Sequence, residues 1–191
     1  MQKRFIINNV ILRFNMHLSI FFSHGIKRIT KSFFFLTLIV ACGYPSYAGT
    51  DKQYQTKAKR LYSFAKYTHW TVRKQVVLCV YQTNVFQGAL KKAIKGKRIK
   101  KKKVKVMTIT DMRQHQQCQL LFFSQKTNKS QLESLLKSVK KGVLTVGETP
   151  SFLSSGGMIM FIDLKGNFSI KQKNIRKSGL TISSQLAKLA K

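Results

Sequence analysis

The sequence is short of acidic residues. Its 191 residues include 5 Asp and Glu against 36 Lys and Arg, which gives a formal net charge of +31 at pH 7. This excess predicts a salt-dependent attraction to polyanions, although net charge carries no information about the fold. The acids are Asp51, Asp111, Glu133, Glu148 and Asp163. No two of them share a motif at the end of one strand, so the sequence offers no paired carboxylates for general acid–base catalysis.

The motifs of phosphate binding and of serine hydrolases are absent as well. The sequence contains no GxGxxG, no GxxxxGK[ST] and no GxSxG. We interpret the Gly156-Gly157 pair as a turn and not as a ligand-binding loop. His69, which stands beside Trp70, is predicted to pack or to cap a helix end. We therefore predict a protein without catalytic residues and without a cofactor, and an enzyme that uses His69 or His115 is the weakest alternative.

The most apolar stretch is too short for a membrane span of about 20 residues. It covers residues 32–42 (SFFFLTLIVAC), follows a group of basic residues, and precedes the small residues SYA that end at Ala48. A basic region, a short apolar region and small residues before a cleavage site form a secretory signal peptide. We predict that residues 1–48 are a leader and that residues 49–191 form one exported domain. An uncleaved membrane anchor is the alternative.

Cys42 adds a second reading of the leader. Residues 39–42 (IVAC) also fit a bacterial lipoprotein cleavage site, at which the cysteine becomes lipidated. Lipidation at Cys42 is therefore the alternative to cleavage after Ala48. Either route exports the chain to the periplasm or its membranes, where it meets lipids, wall polymers and other proteins. Nucleic-acid binding becomes a minor hypothesis, because little chromosomal DNA is present there.

Apolar residues spaced three and four apart predict helices. The predicted helices are residues 51–69, Val85–Ile94, residues 130–142 and residues 184–190. Asn84 is the expected N-terminal cap of the second helix, and Gly96 closes it. Ser130 and Glu133 are expected to form a capping box at the start of the third helix, which Gly142 ends.

Continuous apolar runs predict strands that are covered on both faces. The predicted strands are Gln75–Tyr81, residues 119–124 and residues 143–147, with a lysine-bearing edge strand from residue 103 and a hairpin within residues 156–172. The hairpin is expected to turn at Lys165-Gly166-Asn167. Strands that alternate with helices form β-α-β units. The predicted fold class is therefore α/β, with a mostly parallel central sheet flanked by helices and an antiparallel hairpin at one edge.

Residues 96–106 (GKRIKKKKVKV) concentrate the positive charge. We interpret this run as a solvated strand edge, because charged edges discourage pairing with other strands. No aromatic residue interleaves with the lysines to stack on bases, which weakens nucleic-acid binding further. The competing reading is an envelope protein that binds anionic lipids or wall polymers through this run.

The cysteines have two explanations. His115 and Cys118 have the short spacing of metal ligands, and Cys79 could join them, but this set falls short of the four ligands of a structural zinc site. Cys79 lies inside one predicted strand and Cys118 at the entry to the next. In an oxidising compartment two such cysteines usually pair. The pattern favours a disulfide over a metal site, and two buried thiols are the alternative.

The order of these motifs resembles the YfiR-like family of exported bacterial proteins, over about residues 55–190. The stretches that carry the resemblance are KAKRLYSFAKYTHW at residues 57–70, VLCVYQTNVFQGAL at residues 77–90, QCQLLFFS at residues 117–124, VLTVGETPSFLSSGGMIMF at residues 143–161, and SGLTISSQLAKLA at residues 178–190. The chain departs from the family pattern at Thr71, Met160 and Ser169 to Lys171, where relatives carry Pro, Asn and Glu-Ile-Asn.

The resemblance implies a periplasmic regulator without catalytic activity. Such a regulator binds the periplasmic sensor region of an inner-membrane diguanylate cyclase and holds the enzyme inactive, which controls cyclic di-GMP signalling and biofilm formation. An outer-membrane lipoprotein sequesters the repressor and so releases the enzyme. The resemblance also implies a disulfide between Cys79 and Cys118 and a homodimer.

Overall fold

The computed structural model describes residues 48–191, apart from residues 72–73 and 83–84. The predicted leader with Cys42 and the predicted helix cap Asn84 lie outside the described residues. Among the helices of the described part, none combines the length and the apolar character that a bilayer crossing requires.

Helices and short strands alternate along the chain. The helices are α1 (Ala48–Lys66), α2 (Val85–Ile94), α3 (Lys129–Ser138), α4 (Gln172–Lys177) and α5 (Ser184–Lys188), with a 3₁₀ helix at Met112–Gln117. The strands are β1 (Thr68–His69), β2 (Gln75–Tyr81), β3 (Arg98–Ile99), β4 (Lys102–Ile109), β5 (Leu120–Phe123), β6 (Leu144–Gly147), β7 (Ile159–Phe161), β8 (Phe168–Ile170) and β9 (Thr181–Ile182).

The central sheet has seven strands in the order β3-β4-β2-β5-β6-β7-β8. The five inner strands are parallel, whereas β3 and β8 pair antiparallel with their neighbours at the two edges. Strands β1 and β9 form a separate antiparallel pair. The predicted fold class is confirmed, including the hairpin β7–β8 at one edge. The antiparallel strand β3 at the other edge was not predicted.

Both faces of the sheet are covered, which explains the continuous apolar run of β2. Val76, Leu78 and Val80 point into the larger core cluster with the apolar faces of α1 and α2. Val77 and Cys79 point into a second cluster, which includes residues of α3. A strand that is buried on both faces gains apolar contacts at every position, so its sequence does not alternate.

Helix α1 ends at Lys66, before the predicted end at residue 69, so this boundary was wrong. The hydroxyl of Thr68 donates to the carbonyl of Phe64 at 2.7 Å, and the indole N–H of Trp70 donates to the carbonyl of Ala65 at 2.7 Å. These bonds satisfy carbonyls of the last turn, which have no partner within a helix. The chain then leaves the helix and pairs with β9.

The capping box predicted for α3 was also wrong. The side chain of Asn128 accepts a hydrogen bond from the backbone N–H of Ser130 at 3.0 Å, and it is the N-cap. Glu133 instead forms an exposed ion pair with Lys137 at 2.9 Å. The helix ends at Ser138, before the predicted stop at Gly142. Asn and Ser are comparable N-caps, and capping by Asn128 adds two residues, Lys129 and Ser130, to the start of the helix.

The lysine run forms a hairpin and not a simple edge strand. Strands β3 and β4 are joined by Lys100 and Lys101, whose φ angles are 47° and 66°. A two-residue loop with both residues at positive φ is a type I′ turn, for which Asn-Gly is the usual sequence. Lysine is not a turn residue, so the sequence pattern did not reveal it. Strand β3 covers β4 only at Lys102 and Lys103.

Two predicted turns are confirmed. Gly96 has a φ of 71° just after the end of α2, and the N–H of Lys97 closes this end on the carbonyl of Ile94 at 2.8 Å. Gly166 has a φ of 82° in the β7–β8 hairpin, where Asn167 bonds to the carboxylate of Asp163.

Two glycines make room for the buried ring of Phe152. This side chain has no exposed surface. A β-carbon at Gly147, the last residue of β6, would overlap one side of the ring, and a β-carbon at Gly157 would overlap the other. The N–H of Gly157 also donates to the carbonyl of Phe152 at 2.8 Å. The ring therefore fills the space that the missing side chains leave.

We predict that Gly147→Ala lowers the free energy of unfolding by about 1–3 kcal/mol or more, because the added methyl group overpacks the core. Gly88→Ala is the matched control, since nothing lies within 4 Å of its added β-carbon in α2. The control should raise stability by about 0.5–1 kcal/mol. Urea unfolding measures both changes, and an unchanged midpoint for Gly147→Ala would contradict the packing argument.

Candidate partner-binding site

A cavity of about 240 Å³ opens at the carboxyl edge of the parallel strands. It is lined by residues that follow β5 and β6, by the first residues of α2, and by one side of α1. These lining residues are Gln53, Tyr54, Lys57, Val85, Phe86, Phe122, Ser124, Gln125, Lys126, Glu148 and Leu164. The carboxyl edge is where α/β proteins bind ligands, because loops from several strands converge there.

An ion pair closes the floor of this cavity. Nζ of Lys57 lies 2.6 Å from Oε1 of Glu148, and the two side chains are 9% and 13% exposed. The second carboxylate oxygen of Glu148 accepts the backbone N–H of Gln125 at 3.1 Å. Nζ of Lys57 also lies 5.8 Å from the ring centre of Phe161. The pair links α1 to the ends of β5 and β6, across 91 residues of sequence.

One wall of the cavity is aromatic, and Gln53, Ser124, Gln125 and Lys126 add polar groups to the lining. Tyr54, Phe86 and Phe122 form a row of rings, with centroid distances of 5.9 and 4.7 Å. Val85 and Leu164 stand at the rim with 68% and 56% of their surfaces exposed. Since Lys57 and Glu148 are already paired with each other, the aromatic wall is the part of the cavity that suits an apolar side chain. Exposed apolar residues around a concave site are typical of protein interfaces.

We predict that Glu148→Gln destabilises the protein by about 3 kcal/mol, because it leaves the Lys57 ammonium buried without a counter-ion. The glutamine keeps an oxygen that can accept the backbone N–H of Gln125, so the loss of stability measures the effect of removing the negative charge. Adding Lys57→Met should recover part of the loss in a double-mutant cycle. The control Glu133→Gln breaks an exposed pair and should hardly change the unfolding midpoint. Equal effects of the two Gln variants would contradict the argument.

Cys79 and Cys118 are joined by a disulfide on the face of the sheet opposite to α1 and α2. Their Cα atoms are 5.8 Å apart, within the usual range for a disulfide. Gln119 reinforces the same junction. Its side-chain oxygen accepts the N–H of Val77 at 2.7 Å, and its own N–H donates to the carbonyl of Val77 at 2.9 Å. The start of β5 is therefore fixed against β2 by covalent and hydrogen bonds.

His115 has a structural role in this region. Nδ1 bonds to the carbonyl of Met112, and Nε2 accepts the backbone N–H of Lys140 at 2.9 Å. Both ring nitrogens are thus engaged with the backbone, and the sulfur atoms of Cys79 and Cys118 are bonded to each other. The metal-like spacing of these residues is explained without a metal. In the described part of the chain, no group of three His, Cys, Asp or Glu could hold a metal ion.

We predict that Cys79→Ala with Cys118→Ala lowers the free energy of unfolding by up to about 4 kcal/mol, the chain-entropy value for a loop of about 40 residues. Reductant should destabilise the wild type and leave the double variant unchanged. Denatured, unreduced wild-type protein should not react with an alkylating reagent at either cysteine. Alkylation of both thiols in that sample would refute the disulfide.

Other candidate residues lie apart from the cavity. His69 was predicted to pack or to cap a helix end, and this prediction was wrong. The residue is exposed in β1 and pairs with Thr181 of β9. The Gly156-Gly157 pair belongs to the turn around Phe152. Asp51 accepts a hydrogen bond from Gln55 at 2.9 Å.

Three carboxyls near the surface are engaged by nearby donors. Arg113 donates a side-chain hydrogen bond to Asp111, Lys137 donates one to Glu133, and Asn167 donates one to Asp163. In each case this bond is the main reason why the pKa of the carboxyl is lowered from its ordinary value. These acids are spread over different loops and helices. Each of the three is engaged by a donor close to it in the sequence.

Sequence reasoning missed the ion pair at the cavity floor. A signal for Lys57 was present, because it stands three residues after Tyr54 and four before Leu61, on the apolar face of α1. A lysine on such a face requires a buried counter-ion. No local pattern identified Glu148 as that counter-ion, since the two residues meet only in the folded sheet.

The architecture defines a mixed α/β domain with disulfide-linked parallel strands and an apolar-rimmed cavity at their carboxyl edge. The model of the DUF4154 family, described as YfiR/HmsC-like, matches residues 54–191. The chain therefore belongs to the YfiR/HmsC-like family. This family is known in general for periplasmic regulators of cyclic di-GMP signalling, and it is regulatory rather than catalytic.

Solved structures provide weaker similarities. A conserved domain protein from Vibrio cholerae O1 biovar El Tor is 10% identical with a TM-score of 0.48, over 70% of this chain and 58% of that one. An ABC domain in complex with L-Trp from Streptococcus pneumoniae is 12% identical with a TM-score of 0.47, over 70% and 59%. The chain thus spans less than two thirds of either structure. No curated protein matches the chain.

Proposed function

We propose that the protein is a periplasmic, non-catalytic regulator that binds the sensor region of an inner-membrane diguanylate cyclase and represses it. The observation that carries this proposal is the family match over residues 54–191. The disulfide between Cys79 and Cys118 supports it, because disulfides persist in oxidising compartments such as the periplasm. The signal peptide predicted in residues 1–48 supports the same location.

The physical requirement for repression is modest. The regulator must bind the inactive conformation of the cyclase more tightly than the active one, and the difference in affinity sets the shift between them. An exported protein can reach cytoplasmic nucleotide synthesis only through a partner that crosses the membrane. A membrane cyclase with a periplasmic sensor region meets that requirement.

The cavity rim is the surface that we assign to the cyclase. Val85 and Leu164 both line the cavity and expose apolar surface, and the ion pair of Lys57 with Glu148 ties together the elements that form its walls. An apolar side chain of the cyclase would displace water from this surface and gain contacts with the rings. Truncation of such a rim should weaken binding without disturbing the core.

The proposal includes two further partners. An outer-membrane lipoprotein would compete for the regulator and release the cyclase, and a second copy of the chain would form a homodimer. Both are expectations that the resemblance to the family implies.

We predict that deletion of the gene raises cellular cyclic di-GMP and promotes attached growth, because the cyclase is released. Wild-type protein should restore the low level, whereas Val85→Ser with Leu164→Ser should not. Leu189→Ser is the matched control, since Leu189 is 54% exposed but does not line the cavity. Nucleotide measurement in extracts decides the outcome, and melting curves must show that all variants are folded.

A second deletion separates the pathway from indirect effects. Removal of the cognate cyclase should abolish the increase in cyclic di-GMP. An unchanged nucleotide level in the single deletion, with the cyclase demonstrably expressed, would contradict the proposed function. Full restoration by the double-serine variant would contradict the assignment of the rim.

A further inference from the structure

One region of the described chain carries positive charge without local compensation. We define the basic hairpin surface as the exposed basic side chains at the end of α2 and on the β3–β4 hairpin, namely Lys91, Lys92, Lys95, Lys97, Arg98, Lys100, Lys101, Lys103 and Lys105. The sequence has no acid anywhere in residues 85–110. The charges of this surface are therefore balanced only by ions from outside.

The acids elsewhere in the chain are already engaged. Asp51 accepts from Gln55, and Glu148 is paired with Lys57. The other three acids bond to Arg113, Lys137 and Asn167, which lie close to them in sequence. None of these acids belongs to the hairpin or to α2. Internal neutralisation of the basic hairpin surface is thus excluded by the positions of the carboxylates.

The hairpin is held on the core by its own contacts. Ile99 is 1% exposed and anchors β3 in the larger core cluster. The hydroxyl of Tyr62 donates to the carbonyl of Arg98 at 3.0 Å, and the guanidinium of Arg98 donates to the carbonyl of Lys101 at 3.1 Å. Nζ of Lys97 lies 4.8 Å from the ring centre of Tyr62. The charges are therefore presented from a fixed support.

The turn adds charge where the backbone does not favour lysine. Lys100 and Lys101 both have positive φ, a conformation that glycine and asparagine adopt more readily. The fold would be served at least as well by an uncharged Asn-Gly turn. The positive tip is thus an addition that the packing of the hairpin does not require.

The shape of the surface indicates the kind of partner. A shallow groove of about 530 Å³ runs between the end of α2 and the start of β4, with Ile94, Val104 and Val106 on its floor and basic side chains along its rim. The charges extend from the groove to the turn and lie on several elements, and the half-exposed ring of Tyr62 beside them is covered by Lys97. This arrangement fits many mobile anions on a surface better than one anion in a fixed geometry or a stacked base.

We propose that the basic hairpin surface binds the phosphate headgroups of an anionic phospholipid membrane. Several lysines and an arginine near such a surface together give a substantial, salt-dependent attraction. The binding holds the regulator against the bilayer in which its proposed partner is embedded. It does not depend on the identity of that partner, so it can be tested on purified protein.

The test is cosedimentation of the protein with vesicles of phosphatidylcholine alone and of phosphatidylcholine mixed with phosphatidylglycerol. Wild type should bind only the anionic vesicles, and added salt should release it. The variant with Lys97, Lys100, Lys101 and Lys103 changed to Gln should bind at least about tenfold more weakly, which corresponds to a loss of about 1.4 kcal/mol of binding free energy. Circular dichroism and melting curves should show an intact fold.

A second variant has the same net charge but keeps the hairpin. It changes Lys129, Lys141, Lys173 and Lys188 to Gln, which are exposed residues outside the basic hairpin surface. This control should bind anionic vesicles nearly as wild type does. Equal losses in the two variants, or no binding of wild type to anionic vesicles, would overturn the proposal. The proposal would also be overturned if the hairpin variant lost binding to polyglutamate but bound anionic vesicles as wild type does. That result would favour an acidic protein partner.

Discussion

The scarcity of negative charge constrains the whole molecule, and the Lys57–Glu148 pair shows how. Lys57 is the lysine that the described chain buries, at 7% exposure, and Glu148 is the acid that meets it. A buried ammonium without a counter-ion would be strongly unfavourable, so the fold depends on bringing the start of the domain to the end of β6. With the remaining acids held in local bonds, the excess of lysine is left at the surface, where solvent screens its repulsion.

Elements with strong periodicity could be predicted from the sequence, and short or ambiguous ones could not. The run of β2 is apolar at every position because both faces are buried, so Gln75–Tyr81 was predicted with its observed bounds. Strands β1, β3 and β9 have two residues each, which leaves no period to detect. The start of α3 was misplaced because Asn128 and Ser130 are both good caps. The type I′ turn was missed because Lys100 and Lys101 are not turn residues.

The candidate site was less predictable than the fold for a physical reason. Its walls come from α1, α2, β5, β6 and the β7–β8 loop, and these segments meet only when the register of the parallel sheet is set. Exposed apolar residues such as Leu164 have no sequence signature, because a loop leucine can equally be buried. The cysteines differ in this respect. Their placement on neighbouring buried strands could be inferred from periodicity, and the structure joins them.

Helix α2 connects the two surfaces to which we assign partners. Its first residues, Val85 and Phe86, line the apolar cavity, and its last turn, with Lys91 and Ile94, lines the basic groove. The helix joins the parallel strands β2 and β4, so its N-terminus lies at their carboxyl edge and its C-terminus at their amino edge. Ten residues of helix span about 15 Å. If the hairpin rests on the headgroups, the cavity therefore opens about 15 Å or more above the membrane and faces away from it. A segment embedded in the bilayer would not reach that height, so this geometry favours a partner surface outside the membrane, as the proposed function requires.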